Sequence, residues 1–186
     1  MKKVLLFFAN GTEEIEALTV VDMLRRAGAD VTVAGVGGKE LIGSHAIRIT
    51  ADIDAEALTS FDYDMVVVPG GLPGTTHLDE SEIVERALSA VHEKGGYLAA
   101  ICAAPLVLGK RGYLIGKNAT CYPALNPISR AQDFSESAFV WMVASLPAQA
   151  WARRLIFRLR LQRFSSARKR QLRSAVRSLP IEKEIL

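Results

Sequence analysis

The chain has 186 residues, 49% of them hydrophobic and 23% charged, with a formal net charge of +3 and only two cysteines. These values fit one globular domain of ordinary composition and exclude collagen-like and disordered classes. Neither cysteine lies in a CxxC or near a histidine at ligand spacing, which excludes a disulfide framework or zinc module, and the longest near-apolar run, 97–109, is shorter than the roughly 20 residues that cross a bilayer.

MKKVLLFFANG imitates a secretory leader, but VLLFFA is shorter than the usual apolar region and acidic GTEE follows it without a cleavage-like site. It reads instead as a first strand, buried on both faces of a parallel sheet, in a cytoplasmic protein with reduced thiols. TEEIEALTVVDMLRRAGA then predicts a helix with Thr12 as its cap, Ile15, Leu18, Val21 and Leu24 along its apolar stripe, and Gly28 as its stop.

DVTVAGV (30–36) predicts the next strand, and Leu41-Ile42 with Ile47-Arg48-Ile49 a short appended hairpin. YDMVVVPGG (63–71) is a further buried strand ending in paired glycines. SEIVERALSAVHEKGG (81–96) predicts a helix capped by Ser81, with Ile83, Val84, Ala87, Leu88 and Val91 on one face, and YLAAI (97–101) another strand. The alternation implies an α/β fold, a doubly wound and mostly parallel sheet whose ligand site lies beyond the carboxyl ends of the strands. Three segments converge there: 10–16, 69–74 and Cys102.

Cys102 falls at a strand-to-helix junction, with Ala100 two residues before it and Ala104 two after. Small residues at that spacing suit a nucleophile elbow, where neighbouring backbone comes too close for bulky side chains. Unpaired N–H groups of the following helix would favour thiolate over thiol, so a lowered pKa is expected. A buried cysteine acting as a small hydrophobe fits the same position equally well.

The strand followed by GTEEIEA, then VVVPGG, AAICAAP and TCYP, occurs in the order and at the intervals of the DJ-1/ThiJ/PfpI family of the class I glutamine amidotransferase-like superfamily, which residues 1–123 resemble. The resemblance implies a flavodoxin-like fold with Cys102 as the elbow nucleophile and Glu16 as the acid hydrogen-bonded to it. It also implies that the amides of Gly71 and Ala103 form a pocket like an oxyanion hole. His45 lies where some relatives place a basic residue near the site, and Tyr122 where a histidine is frequent. His45, His77 and His92 are each read as surface or structural residues ahead of any catalytic role, and Cys121 as half-buried packing. No histidine completes a protease-like site, and no metal or cofactor is expected.

The function implied is a cofactor-independent, cysteine-dependent glyoxalase or deglycase-like enzyme acting on reactive aldehydes such as methylglyoxal, or on glycated adducts. The alternative is a redox-responsive stress protein or chaperone that uses the same thiol without turnover. Relatives are commonly homodimers joined through the first helix and the hairpin, so a homodimer is expected.

The family-like domain is expected over 1–127 and an atypical segment over 128–186. Through Pro127 there are 11 basic against 16 acidic residues; from Ile128 there are 12 against 4. Ten of those twelve are arginine, and no glycine follows Gly116. Three readings stay open: a basic amphipathic helix for acidic lipid or nucleic acid, a packed helix with a solvated charged face, and an out-of-frame or altered C-terminus. The abrupt change of composition favours the last, and nucleic-acid binding ranks lowest.

Overall fold

The computed structural model describes residues 1–116 together with 118–119, 133–134 and 143–144, all within the unit Met1–Pro147. The elements in chain order are β1 (Lys3–Ala9), α1 (Glu14–Arg26), β2 (Asp30–Val36), β3 (Glu40–Ile42), β4 (Arg48–Thr50) and β5 (Ile53–Asp54). After a 3-10 turn at Ala55–Ala57 come β6 (Met65–Val68), α2 (Gly74–Glu80), α3 (Glu82–Glu93), β7 (Tyr97–Ala100) and α4 (Pro105–Lys110). Two-residue strands β8 (Asn118–Ala119), β9 (Asp133–Phe134) and β10 (Val143–Ala144) follow.

The main sheet has six strands in the order β10-β7-β6-β1-β2-β5. All its pairings are parallel except that of β10 with β7. Residues Val4 to Ala9 of β1 are completely buried, as the uninterrupted apolar run requires of a central strand covered on both faces. Its partners keep it in register, Leu6 facing Val33 of β2 on one side and Val67 of β6 on the other.

On α3, Ile83, Val84, Ala87, Leu88 and Val91 are buried together with Leu98 of β7 and Val66 of β6, so the stripe read from the sequence is the packing face. The hairpin also forms as expected, β3 pairing antiparallel with β4. Two details of α1 differ. Its cap position is Glu13 rather than Thr12, and the Thr12 hydroxyl instead accepts the Ala9 N–H at 3.0 Å, tying off the end of β1. Its buried face is Glu14, Ala17, Val21 and Leu24, while Ile15 and Leu18 are 74% and 39% exposed. A buried carboxylate has displaced an apolar residue from the stripe, and the reason lies in the loop it meets.

Helix α2 and strand β5 were not legible as elements in the sequence. The helix begins at a glycine after Pro73 and spans only GTTHLDE, too short for an apolar period to declare itself. Most of the segment from 128 onward, together with Cys121, Tyr122 and Pro123, lies outside the described residues.

Candidate active site

The carboxyl ends of β1, β6 and β7 lie side by side, and each strand leads into a tight turn before its helix. After β7 the chain turns at Cys102, whose φ is +60°. A residue with a β-carbon is held in the left-handed region at a cost of roughly 1–2 kcal/mol, which the surroundings must offset. The turn is closed by the Ala104 N–H donating to the Ile101 carbonyl at 3.0 Å, and Pro105 opens α4, where its missing N–H leaves no bond unmade. This is the elbow expected from the alanine spacing.

After β6, Gly70 and Gly71 bring the backbone against the start of α1. The Glu13 N–H donates to the Gly70 carbonyl at 3.0 Å, and the Gly70 N–H donates to Glu16 Oε2 at 2.9 Å. One residue thus receives the helix N-terminus through its carbonyl and orients the carboxyl through its N–H. A β-carbon on Gly70 would lie 2.6 Å from Glu16 Oε2 and 2.7 Å from the β-carbon of Cys102. Gly71 has φ +91°, and a β-carbon there would strike the Glu13 amide. The role of Gly70 was missed in the sequence, where the paired glycines were the available signal but only the second was singled out.

Glu16 hydrogen-bonds the half-buried Cys102 thiol, and the backbone N–H groups of Ala103 and Gly71 both donate to its sulfur. The Glu16 carboxyl and the two amides therefore meet at the Cys102 sulfur. Burial raises the pKa of Glu16, with the nearby Glu13 charge adding to it, against the pull of its bonds to Cys102 and Gly70. Burial, and then the Glu16 charge, push the Cys102 thiol up to about 11, against the two amides that lower it. The lowered thiol pKa expected from sequence is thus reversed for the step in which Glu16 is already ionised. Two adjoining acids lose their protons in two separated steps, and the value near 11 belongs to removal of the second, from a pair that already carries one negative charge. Between the steps the pair holds a single proton.

His45 is placed elsewhere. Its N–H donates to Glu14 Oε1 at 2.8 Å, and its ring Nδ1 lies 3.2 Å from Glu14 Oε2 and 3.4 Å from Glu13 Oε1. Glu14 is 3% exposed, and burial alone would raise its pKa; hydrogen bonds from its own backbone, His45 and Ser44 outweigh that and hold it near 2. Its carboxyl fills the space above Gly43, where a β-carbon would collide with it. The buried carboxylate on α1 is thereby explained, since it locks the β3–β4 hairpin onto the helix. Glu13, Glu14 and His45 bring three potential ligand atoms within 4.8 Å of one another. The Glu14 oxygens are already taken up by the Ser44 hydroxyl and the His45 N–H, so this cluster reads as a structural clasp.

His77 Nδ1 lies 2.8 Å from the Asn10 carbonyl, and His92 packs its ring on Tyr113 at 4.8 Å, both structural placements. Among the described residues no helix is long and apolar enough to cross a membrane.

The model of the DJ-1/PfpI family matches residues 2–159. A Drosophila melanogaster relative, Protein dj-1beta, is 43% identical over 127 residues, covering 68% of each chain. A Caenorhabditis elegans relative named Glutathione-independent glyoxalase DJR-1.2 is 32% identical over 110 residues, covering 59% of this chain and 58% of that one. Two longer Arabidopsis thaliana homologues are matched over only 28% and 32% of their length. Among solved structures, one titled Toxoplasma gondii DJ-1, oxidized, superposes with a TM-score of 0.72 at 33% identity, covering 86% of this chain and 91% of that one.

Proposed function

This chain belongs to the DJ-1/PfpI family, and from that premise and the geometry at Cys102 we propose that it is a cofactor-independent cysteine enzyme of glyoxalase or deglycase type, acting on small reactive aldehydes such as methylglyoxal. The observation that carries this reading is the convergence of one carboxyl and two backbone N–H groups on a single strained cysteine. The naming of a C. elegans relative as a glutathione-independent glyoxalase supports it.

In this reading the Cys102 sulfur attacks the aldehyde carbon, and the carbonyl π pair moves to oxygen. Glu16 accepts the thiol proton and returns it to that oxygen, giving a hemithioacetal. The Gly71 and Ala103 amides, released from the sulfur as its charge moves to oxygen, steady the oxyanion. Glu16 then takes the hydrogen from the former aldehyde carbon as a proton, leaving an enediolate; the hydroxyl proton of the first carbon's oxygen passes to the neighbouring oxygen, and Glu16 delivers its proton to the neighbouring carbon. The first carbon is oxidised to a thioester and the second reduced to an alcohol, so no outside oxidant is needed. Water hydrolyses the thioester, releasing a 2-hydroxy acid and restoring the thiol.

Lactate formation from methylglyoxal without added thiol tests the proposal. Cys102→Ser and Glu16→Gln should each abolish it with the far-ultraviolet circular dichroism unchanged; retained turnover in Cys102→Ser rejects the assignment.

A second reading is favoured by the Toxoplasma relative having been solved in an oxidised state. Here Cys102 is converted by peroxide to the sulfinate and no aldehyde is consumed. A mass gain of two oxygens at Cys102 in a protein that makes no lactate would select it. The exposed Ile15, Leu18, Ile42 and Ile47, on α1 and around the hairpin, support assembly as a homodimer through those elements.

A further inference from the structure

The two amides that meet the sulfur come from different elements. Ala103 leads into α4, whose first turn holds its carbonyl through the Leu106 N–H at 3.1 Å. Gly71 leads into α2, where the Thr75 N–H donates to the Gly71 carbonyl at 2.8 Å. Helices of six and seven residues have little stability of their own, and their placement depends on tertiary ties.

Those ties are made at the opposite ends of the two helices. Arg111, directly after α4, donates through Nη1 to Asp79 Oδ1 at 2.6 Å and through Nη2 to the Asp79 carbonyl at 2.7 Å. It also bonds Glu85 of α3 and the Val107 carbonyl of its own helix, the latter at 2.8 Å. Lys110 adds a bond to Asp79 Oδ2 at 2.5 Å. The Arg111 and Asp79 side chains are only 15% and 13% exposed. An aspartate near a helix C-terminus opposes the helix dipole, and here two cations from the end of α4 meet it. Partly buried pairs of this kind contribute little net stability but penalise any arrangement in which one partner is left alone.

We propose that Arg111 is a positioning residue for Cys102: by tying the end of α4 to Asp79 of α2, it fixes the Ala103 and Gly71 amides relative to each other at the sulfur. The lever is short, since seven helical residues span roughly 10 Å. Loosening the clamp lets the two amides drift apart and withdraws one charge-assisted hydrogen bond from the sulfur, which raises the pH at which the thiol ionises. The inference rests on Cys102 being the nucleophile and is independent of its substrate.

The test follows the pH dependence of iodoacetamide labelling at Cys102 by peptide mass spectrometry, with thermal unfolding in parallel, in Arg111→Met, Asp79→Asn and Glu85→Gln. The first two should shift the profile upward by about one unit, equivalent to about tenfold slower labelling on the rising limb. Glu85→Gln, which leaves the α2–α4 tie in place, should leave it unmoved. A lowered melting temperature with a wild-type profile in the first two variants would make the clamp merely structural and overturn the proposal. If Arg111→Met fails to fold, the isosteric Asp79→Asn decides alone. Absence of aldehyde turnover in the wild type would reject the substrate reading without altering these profiles.

Discussion

The Glu16 carboxyl bonds the Cys102 thiol while accepting the Gly70 N–H at 2.9 Å, so the acid is aimed at the sulfur by the backbone of a neighbouring strand end. Helix α1, the β6 turn and the β7 elbow have to be in place together for that contact to exist. The site is therefore a product of the sheet order, in which β1, β6 and β7 are adjacent.

Gly70 is the closest approach in this arrangement, and adding one methyl group should disturb both reacting side chains. Gly70→Ala should lower kcat/KM for methylglyoxal by about 100-fold, the scale of loss for a misplacement of about 1 Å, while leaving secondary structure intact. Steady-state lactate production with circular dichroism of the same samples checks it.

The left-handed backbone at Cys102 reverses the usual order of glycine and alanine. Alanine normally stabilises relative to glycine, but at φ +60° it retains the steric cost that glycine escapes. Cys102→Gly should therefore be more stable than Cys102→Ala by about 1 kcal/mol in urea unfolding, with no labelling of that position in either. Alanine being the more stable would contradict the strained turn.

Glu14 makes a prediction about acid stability. Its folded pKa, about 2, lies below the value of 4.5 expected for an unfolded glutamate, so its contribution is complete above about 4.5 and is lost as the pH falls through about 2. On the order of 3 kcal/mol should disappear across that window in the wild type. In Glu14→Gln the protein should be weaker at neutral pH, and this part of the acid dependence should be absent. Urea midpoints measured from pH 7 to pH 2 for both proteins provide the comparison.

Much of this architecture is legible in the residues. Continuous apolar runs specified β1, β6 and β7, the period of 81–96 gave the buried face of α3, and alanines flanking Cys102 marked a turn too tight for larger side chains. The stripe on α1 misled because Glu14 is buried by a polar clasp with Ser44 and His45, which rotates Ile15 and Leu18 outward. Hydrophobic periodicity carries no record of a long-range hydrogen bond. Thr12 looked like a helix cap for a related reason, since its hydroxyl can serve either the helix or the strand end, and only the packed structure selects Ala9. The Arg111 and Asp79 tie was equally silent, because two charges 32 positions apart read as solvated surface.

The coupling of Glu16 to Cys102 is tested most directly by the pH profile of iodoacetamide labelling at Cys102 in wild type and Glu16→Gln. The wild type should show two steps, the upper one near 11, because the second proton leaves a pair already charged. Glu16→Gln, lacking that charge, should show a single step below about 11. Superimposable profiles in the two proteins would mean that the carboxyl does not act on the thiol, and that the Glu16–Cys102 pair is not the site the protein uses.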